Sequence, residues 1–311
     1  TKTLNAIIKG KAPIMPETAL KLESVFSTPA NFWSNLEAIF QETKARRQAE
    51  TDIDHETPTA GLIPYADLAR RGFVQLTSHP REKVAQLRQF FGVASLKYLP
   101  AIMPVAFRKL DKQSGSPYAL AAWIRMGELM SGEIETLPYN AKRLKQQIPA
   151  LRELTWQEDE VASQLEDLCA DCGVAAVVVP YLPKAYAQGA TKWLQPGKAM
   201  VQLNTKYEFA DMFWFSFFHQ LGHILLHSKK MAYAENGEKS REEAEADQFA
   251  AECLIPSSKY RAFLIKNNFS RDAIVKFAHR IAIDPGIVVG RLHQDHKLAK
   301  GDFQDLQRKM D

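Results

Sequence analysis

Two histidines in a strongly apolar stretch have the spacing of a metal site. His219 and His223 are four residues apart within FWFSFFHQLGHILLH. On a helix, this spacing places two side chains one turn apart on the same face, where both imidazoles can bind one ion. Zinc binds imidazole nitrogen and carboxylate oxygen at about 2 Å, and a catalytic zinc has three protein ligands and one water. The pair therefore predicts a Zn²⁺ site whose third ligand comes from elsewhere in the chain.

The third ligand is expected from the acidic segment that follows, SREEAEADQFAAECLIP, which offers Glu242, Glu243 and Glu245. As a helix, this segment has an apolar face formed by Ala246, Phe249, Ala250, Cys253 and Leu254. At about 100° per residue, Glu243 lies on that face, whereas Glu245 points almost the opposite way and Glu242 lies near its edge. We therefore predict Glu243 as the third ligand. Asp247, one turn further on, is predicted to orient one of the histidines from outside the ligand shell.

Structural explanations compete with the metal site. Histidine pairs at this spacing occur on many helices by chance, and Ser240 with Glu243 fits the capping box that begins a helix. However, the histidine helix is apolar on most sides, which predicts that it is buried, and buried imidazoles need polar partners. An inward carboxylate supplies one. His227, a further turn along, drifts about 40° per turn from the shared face and is interpreted as a polar helix end rather than a fourth ligand.

The residue after the first histidine, Gln220, determines what the site can catalyse. Zinc peptidases with this helix use a glutamate there as the general base that takes a proton from the metal-bound water. Glutamine is nearly isosteric but cannot accept that proton, so we expect the reaction to be slower by about 10² to 10⁴. Zinc binding itself should persist. Either the chain is a naturally inactive relative of such peptidases, or a glutamate at position 220 was replaced deliberately. The rest of the motif is intact, which favours a deliberate replacement.

The composition is that of an ordinary globular protein, with 311 residues, 46% hydrophobic and 24% charged. Its length favours two or three domains. The net charge of +4 is too small to indicate nucleic-acid binding by itself. The apolar runs are shorter than the roughly 20 residues of a membrane helix, and the opening TKTLNAIIKGK lacks the apolar core of a signal peptide. Three cysteines argue against a disulfide framework and favour the cytoplasm. Cys169 and Cys172 lack a second pair and are interpreted as structural.

The hydrophobic pattern divides the chain into regions. Residues 1–48 are predicted to be helical, 49–59 to be a charged linker, and 60–155 to be an all-helical middle domain. From residue 156, a helix ended by Gly173 is followed by three predicted strands in VAAVVVPYL, GATKWL and AMVQLN, the last two joined by a turn at QPGK. The histidine helix and the acidic helix come next. The predicted fold class is α+β, mostly helical with a small sheet, preceded by helical domains.

Two further features keep alternatives open. The segment GATKWLQPGKAMVQLN could form an edge strand that binds an extended peptide by strand addition, or it could simply be part of the core sheet. His279, His293 and His296 lie in a helical C-terminal tail, where solvated or capping roles are expected. His293 or His296 could also reach the cleft and stabilise an oxyanion, although nothing in the spacing requires it.

The histidine helix and the motif EEAEADQFAAECLIP resemble the ImmA/IrrE family of zinc metallo-endopeptidases. Members have H-E-L-G-H and then E-x-x-A-[ND]-x-F-A-A before an end similar to CLIP. The resemblance extends upstream through GATKWLQPGKAMVQLNTKYEFADMFWF and downstream through DPGIVVGRLHQD, about half of the chain. It places the zinc ligands on His219, His223 and Glu243. It implies a zincin-like metallopeptidase domain over residues 156–311 that cleaves a specific protein partner, a repressor or a toxin.

The opening TKTLNAIIKGKAPIMPETALKLESVFSTPANFWSNLEAIF resembles a second family, the helix-turn-helix regulators of the HigA/XRE class. In this resemblance residues 1–48 are the C-terminal part of the module, TKTLNAIIKGK is the recognition helix, and two helices would precede Thr1. The polar positions that would face operator DNA are Thr1, Lys2, Thr3, Asn5 and Lys9. A helical packing or homodimerisation segment is an equally open interpretation. The alternative function is a non-catalytic regulator that binds DNA and uses the zinc fold to sense a ligand or hold a partner.

Overall fold

The computed structural model describes residues 2–107, 115–157, 160–207, 209–229, 231–235 and 240–309. Helices predominate, and one four-stranded mixed sheet lies in the C-terminal half. This architecture confirms the predicted α+β, mostly helical class. Within the described ranges, no helix is both long enough and apolar enough to cross a membrane.

Three helices with little buried surface begin the chain: α1 (Lys2–Ile8), α2 (Pro16–Phe26) and α3 (Ala30–Ala60). Pro16 suits the start of α2, because its fixed φ matches a helix and its missing N–H would have no partner there. Along α1 and α2, Ala19 is the one buried residue. These helices therefore contribute almost nothing to a core of their own.

The segment predicted as a linker, 49–59, is not an irregular connection but the C-terminal part of α3. The helix persists because its end is anchored by Glu56, which is buried although charged. Glu56 accepts hydrogen bonds from the Arg88 guanidinium at 2.9 and 3.0 Å, from the Leu96 N–H at 2.9 Å and from the Ser95 hydroxyl. These bonds outweigh the cost of burial and lower the pKa of Glu56. A charged residue can thus be buried when hydrogen-bond donors of the folded chain surround it.

The middle of the chain is helical, as predicted: α4 (Tyr65–Arg70), α5 (Pro80–Phe91), α6 (Leu99–Ile102), α7 (Pro104–Phe107), α8 (Pro117–Glu133) and α9 (Ala141–Glu153). The central helix is α8, because its residues from Ala119 to Ile124 are all buried. Ser116 caps its N-terminus by accepting from the Ala119 N–H.

The sheet forms where the sequence predicted strands. The elements in this part are α10 (Val161–Ala170), β1 (Val174–Val179), β2 (Gly189–Gln195) and β3 (Lys198–Asn204), with a short β4 (Tyr233–Ala234). The strand order is β1-β3-β2-β4, with β1 and β3 parallel and the other pairs antiparallel. Pro196 and Gly197 make the predicted turn between β2 and β3, since Gln195 pairs with Lys198.

The C-terminal helices are α11 (Ala210–Leu226), α12 (Arg241–Leu254), α13 (Ser257–Ile265), α14 (Arg271–Ile281) and α15 (Pro285–Gln294). The aromatic residues of α11 pack on one face of the sheet, and α11 also packs against α15. The Gly173 predicted to end a helix has φ +83° and lies so close to Tyr139 that a Cβ would be 2.2 Å from its Cα. Only glycine fits such a position.

The boundary predicted between residues 155 and 156 does not separate two cores. On one side of the sheet, α8 packs with Met200 and Val177. On the other side, α9 residues such as Leu144 and Leu151 share a core with α11. The sheet needs apolar cover on both faces, and the predicted middle domain supplies one of the two layers. The helical patterns within 60–155 did not reveal that these helices cover the sheet.

Candidate metal centre

The two histidines lie on α11, which is buried along most of its length. His219 and His223 are 1% and 2% exposed. The helix is held against the next one by a close approach at Gly222, where a Cβ would be 3.1 Å from the Cα of Ala246. Because Gly222 lies between the histidines on the chain, this contact brings the imidazoles to the first turns of α12.

Three potential ligands converge at this contact: His219, His223 and Glu243. The two Nε2 atoms are 3.0 Å apart, and the Glu243 carboxylate lies 3.0 Å from His219 Nε2 and 3.5 Å from His223 Nε2. Ligand atoms about 2 Å from one tetrahedral ion are about 3.3 Å apart. The observed separations bracket that value. The structure therefore brings together the three residues that the sequence analysis proposed as ligands.

Glu243 also lies in the first turn of α12, which Ser240 caps. The Ser240 hydroxyl accepts from the Glu243 N–H at 3.2 Å, as half of the predicted capping box. The Glu243 carboxylate, however, contacts the histidines. The competing structural explanation thus accounts for the backbone of Glu243, while the side chain is available to a metal.

The outer nitrogen of each histidine has its own partner. His219 Nδ1 lies 2.8 Å from Asp247 Oδ1, the contact expected of Asp247. His223 Nδ1 lies 3.0 Å from His227 Nδ1, and His227 Nε2 lies 3.2 Å from Glu245 Oε2. If each outer N–H donates along these contacts, both Nε2 atoms keep their lone pairs for a metal. Outer partners of this kind fix the tautomer and ring orientation of metal-binding histidines.

The contacts made by His227 and Glu245 were not predicted from the sequence. Glu245 was expected to point away from the site, but its carboxylate reaches His227 while also accepting from Arg241 at 2.7 Å. The helical-wheel angle of Glu245 was sound for α12 alone. It could not include His227, which projects from the last turn of the neighbouring helix. The repeated four-residue spacing of His219, His223 and His227 was the available signal.

The charges at the centre are strongly coupled. Burial disfavours protonation of His219, but hydrogen bonds with Asp247 and Glu243 outweigh it and raise its pKa to about 9. Burial also opposes ionisation of Glu243, yet the two histidines lower its pKa to about 2. Burial lowers the pKa of His223. The site therefore combines an ionised carboxylate, a neutral imidazole and an imidazole that holds a proton, and a metal cation would replace that proton.

Gln220 is completely buried beside β2. The Thr191 hydroxyl donates to its Oε1 at 2.7 Å, whereas its Nε2 has no hydrogen-bond partner among the described residues. The approach is close, since a Cβ on Gly189 would lie 2.9 Å from the Gln220 Nε2. A buried donor without a partner costs about 1–3 kcal/mol. The amide of Gln220 is therefore enclosed by the core with one donor left unpaired among the described residues.

A second carboxylate near His219, that of Glu235, was not anticipated. It follows β4 and accepts a hydrogen bond from the Ser216 hydroxyl, one turn before Gln220 on α11. Burial raises its pKa. The Glu235 N–H donates to the Gly189 carbonyl at 2.9 Å, which continues the pairing of β4 with β2. The outer edge of β2 beside the site is therefore paired by the chain itself, and β3 is an interior strand.

Other candidate residues lie away from this centre. Lys2, Thr3, Asn5 and Lys9 are exposed on or just after α1, and Thr1 lies outside the described residues. His279 stacks on Trp156 with ring centroids 4.8 Å apart, and His293 Nε2 lies 2.9 Å from the Asp302 carbonyl in the tail. None of these residues belongs to the ligand group. Cys169 and Cys172 are buried free thiols.

A histidine pair on a buried helix, a glutamate from the next helix and a small sheet alongside form the arrangement that the sequence motifs predicted for a metallopeptidase-like domain. Residues 175–292, from β1 to α15, match the model of peptidase family M78, described as an IrrE N-terminal-like domain. This part of the chain is thus similar to the ImmA/IrrE-type peptidases, as the sequence motifs implied. No curated protein matches the chain significantly.

Proposed function

We propose that the chain is a zinc-dependent endopeptidase in which Gln220 occupies the position of the general base. The observation that carries this proposal is the convergence of His219, His223 and Glu243, with Nε2 and carboxylate atoms 3.0–3.5 Å apart. Nitrogen and oxygen donors in this number suit zinc with one position left for water. Zinc bound there supplies a Lewis acid that polarises a peptide carbonyl and lowers the pKa of water.

The chain's own residues define the rest of the chemistry. His219 and His223 present Nε2 because their outer nitrogens are held by Asp247 and His227. Gln220 cannot take up a proton, and its buried side chain accepts a hydrogen bond from Thr191. A general base contributes about 10²- to 10⁴-fold in rate, so peptide hydrolysis by this chain should be slower than that of its Gln220→Glu variant by this factor.

The proposed substrate is a specific protein partner, a repressor or a toxin. Support for this part comes from the resemblance of the metal-site motifs to ImmA/IrrE endopeptidases and of residues 1–48 to helix-turn-helix regulators.

Gln220 itself favours a second candidate, a non-catalytic DNA-binding regulator. Its side chain is buried and accepts a hydrogen bond from Thr191, and the three potential ligands still converge with a glutamine at this position. In this candidate the zinc fold senses a ligand or holds a partner, and operator DNA binds through the N-terminal helices. Operator binding without proteolysis by the Gln220→Glu variant would support it.

Zinc content and a reverse substitution test the proposal. The purified protein should hold about one zinc per chain, which His223→Ala should lose and His279→Ala, a matched histidine outside the site, should retain. The Gln220→Glu variant should then cleave candidate repressors or toxins at least about 10² times faster than the unchanged protein. Folded protein that takes up no zinc would contradict the metallopeptidase mechanism. Zinc-loaded Gln220→Glu protein that cleaves nothing would favour the regulator.

A further inference from the structure

A cavity of about 340 Å³ lies between α11, the C-terminal half of α12 and α15. Its walls are mainly apolar and include Phe215, Leu254 and Ile287. Two carboxylates, those of Asp211 and Glu235, also line it. A volume of this size is at the lower end of small-molecule pockets, and so it suits a single long side chain.

The cavity adjoins the candidate metal centre. Phe215 precedes His219 by one turn, and the two rings have centroids 6.4 Å apart. Glu235 lies on the same side, hydrogen-bonded to Ser216, and its charge acts on His219. A peptide whose scissile bond lies at the metal ligands could therefore place a neighbouring side chain in this cavity.

The carboxylate of Asp211 is only partly compensated by its hydrogen-bond partners. Asp211 accepts from the Gln307 side-chain amide at 3.1 Å, but its Oδ1 is inaccessible to solvent and has no hydrogen-bond partner among the described residues. Gly290 allows this carboxylate to fit, because a Cβ there would lie 1.9 Å from Asp211 Oδ2. Burial raises the pKa of Asp211 to about 6. A negative charge in such a place is stabilised by a cation.

The lining includes one protein cation, Arg291, but its charge is engaged elsewhere. Its Nε donates to Asp295 Oδ2 at 3.0 Å, and its guanidinium lies 5.3 Å from the centre of the Tyr260 ring. With Arg291 paired with Asp295, the acidic groups of Asp211 and Glu235 remain on the cavity wall. Its apolar walls and acidic groups together suit a chain of methylenes that carries a cation at its end.

We propose that this cavity is a subsite for a lysine or arginine side chain of the bound peptide, recognised by Asp211 and Glu235. The assignment of the ligand as part of a peptide rests on the proposed endopeptidase function. Recognition of the cation rests on the cavity alone. The expected substrate is therefore a protein with a basic residue next to the scissile bond.

The side chain of Met212 lines the cavity and provides a probe that does not depend on zinc. Protein labelled with [¹³C-methyl]methionine is titrated with the amides of N-acetyl-lysine, N-acetyl-norleucine and N-acetyl-glutamate, with and without zinc. A Met212→Leu variant identifies the signal. The lysine compound should shift the Met212 signal saturably. It should bind at least about tenfold more tightly than the norleucine compound, which lacks only the ammonium group. A tenfold difference in affinity corresponds to about 1.4 kcal/mol.

A variant of Glu235 and a matched control variant test whether the Glu235 carboxylate recognises the lysine ammonium group. Glu235→Gln keeps the shape and the Ser216 contact but removes the charge, so the preference for lysine should fall below about twofold. Glu242 is exposed and lines a separate cavity, so the Glu242→Gln variant should keep the preference for lysine. Equal or tighter binding of norleucine or glutamate, or no shift at Met212 with lysine, would overturn the subsite.

The outcomes separate the subsite from the proposed function. Lysine binding in protein that takes up no zinc would leave the cavity assigned and remove the endopeptidase. Zinc uptake without a preference for lysine would overturn the subsite and leave the proposed endopeptidase function standing. If Gln220→Glu protein cleaves a peptide library, basic residues should be enriched next to the cut sites, and Glu235→Gln should abolish that enrichment.

Discussion

The metal centre and the N-terminal helices differ in how tightly packing positions their side chains. On α11, His219 and His223 are almost inaccessible, and each ring nitrogen has a defined neighbour. On α3, large apolar residues are exposed: Phe32 by 52% and Ile39 by 61%. A motif on a buried helix is fixed by the core around it, so its spacing translates into a site. A motif on an unpacked helix specifies only the helix.

The same contrast explains the fate of the two resemblances. The peptidase motifs fall within α11 and α12, where a family model also matches. The helix-turn-helix resemblance falls on residues 1–48, which bury almost nothing, and operator contacts by this segment stay a prediction.

The largest expected effect is at the third ligand. Glu243→Gln removes the carboxylate charge between the two histidines, and we expect zinc affinity to fall by more than about 100-fold. Glu242→Gln, one residue earlier and exposed, should leave zinc affinity within about twofold. Competition with a chromophoric chelator measures both constants. Equal losses in the two variants would show that general acidity, rather than the position of Glu243, holds the ion.

Much of the fold around this site could be predicted from sequence because local signals agree with tertiary packing. The strand ending before Pro180, the turn at Pro196–Gly197 and the buried α11 all follow from apolar runs and turn residues. Glu243 follows from the helical period of α12. These inferences succeed because one element and its apolar face contain all the information needed.

Features that join two distant elements could not be predicted. Glu245 reaches His227 across two helices, and Glu235 reaches Ser216 from β4. The charged residues at 49–59 were interpreted as a linker. The sequence of that segment does not show that Glu56 accepts hydrogen bonds from Arg88 and Leu96 in the folded protein. Each of these contacts depends on a partner whose position only the tertiary structure supplies.

A smaller effect is expected at Asp247, which holds His219 from outside the ligand group. Its side chain is 58% exposed, so solvent can replace part of its hydrogen bond. We expect Asp247→Asn to weaken zinc binding by about tenfold, the lower end for outer partners of metal-binding histidines. The same chelator competition measures the change, again beside Glu242→Gln. A loss as large as that of Glu243→Gln would mean that Asp247 binds the metal directly.

Within the buried core, Asp211 is a charged group whose burial is costly. Its pKa is about 6 in the folded protein and about 3.8 when unfolded, so the folded state binds more protons between these values. Stability should therefore fall as the pH rises from about 4 to 6 and stay at the lower level above. Asp211→Asn should remove this component and raise the free energy of unfolding at pH 7.5 by up to about 3 kcal/mol. Urea unfolding of both proteins at pH 5 and 7.5 tests this. An equal gain at both pH values would exclude titration of Asp211 as the cause.

The smallest effect is expected on α3, where a matched pair of isoleucines makes the comparison direct. Ile39 is 61% exposed, whereas Ile224 on α11 is 3% exposed, and both lie within helices. Changing isoleucine to alanine alters helix propensity equally, so the difference reports packing. Ile224→Ala should cost about 2–5 kcal/mol and Ile39→Ala less than about 0.5 kcal/mol in urea unfolding of zinc-free protein. A cost above about 1 kcal/mol for Ile39→Ala that grows with protein concentration would instead mean that a second copy of the chain covers α3. This helix would then form the interface of the predicted homodimer.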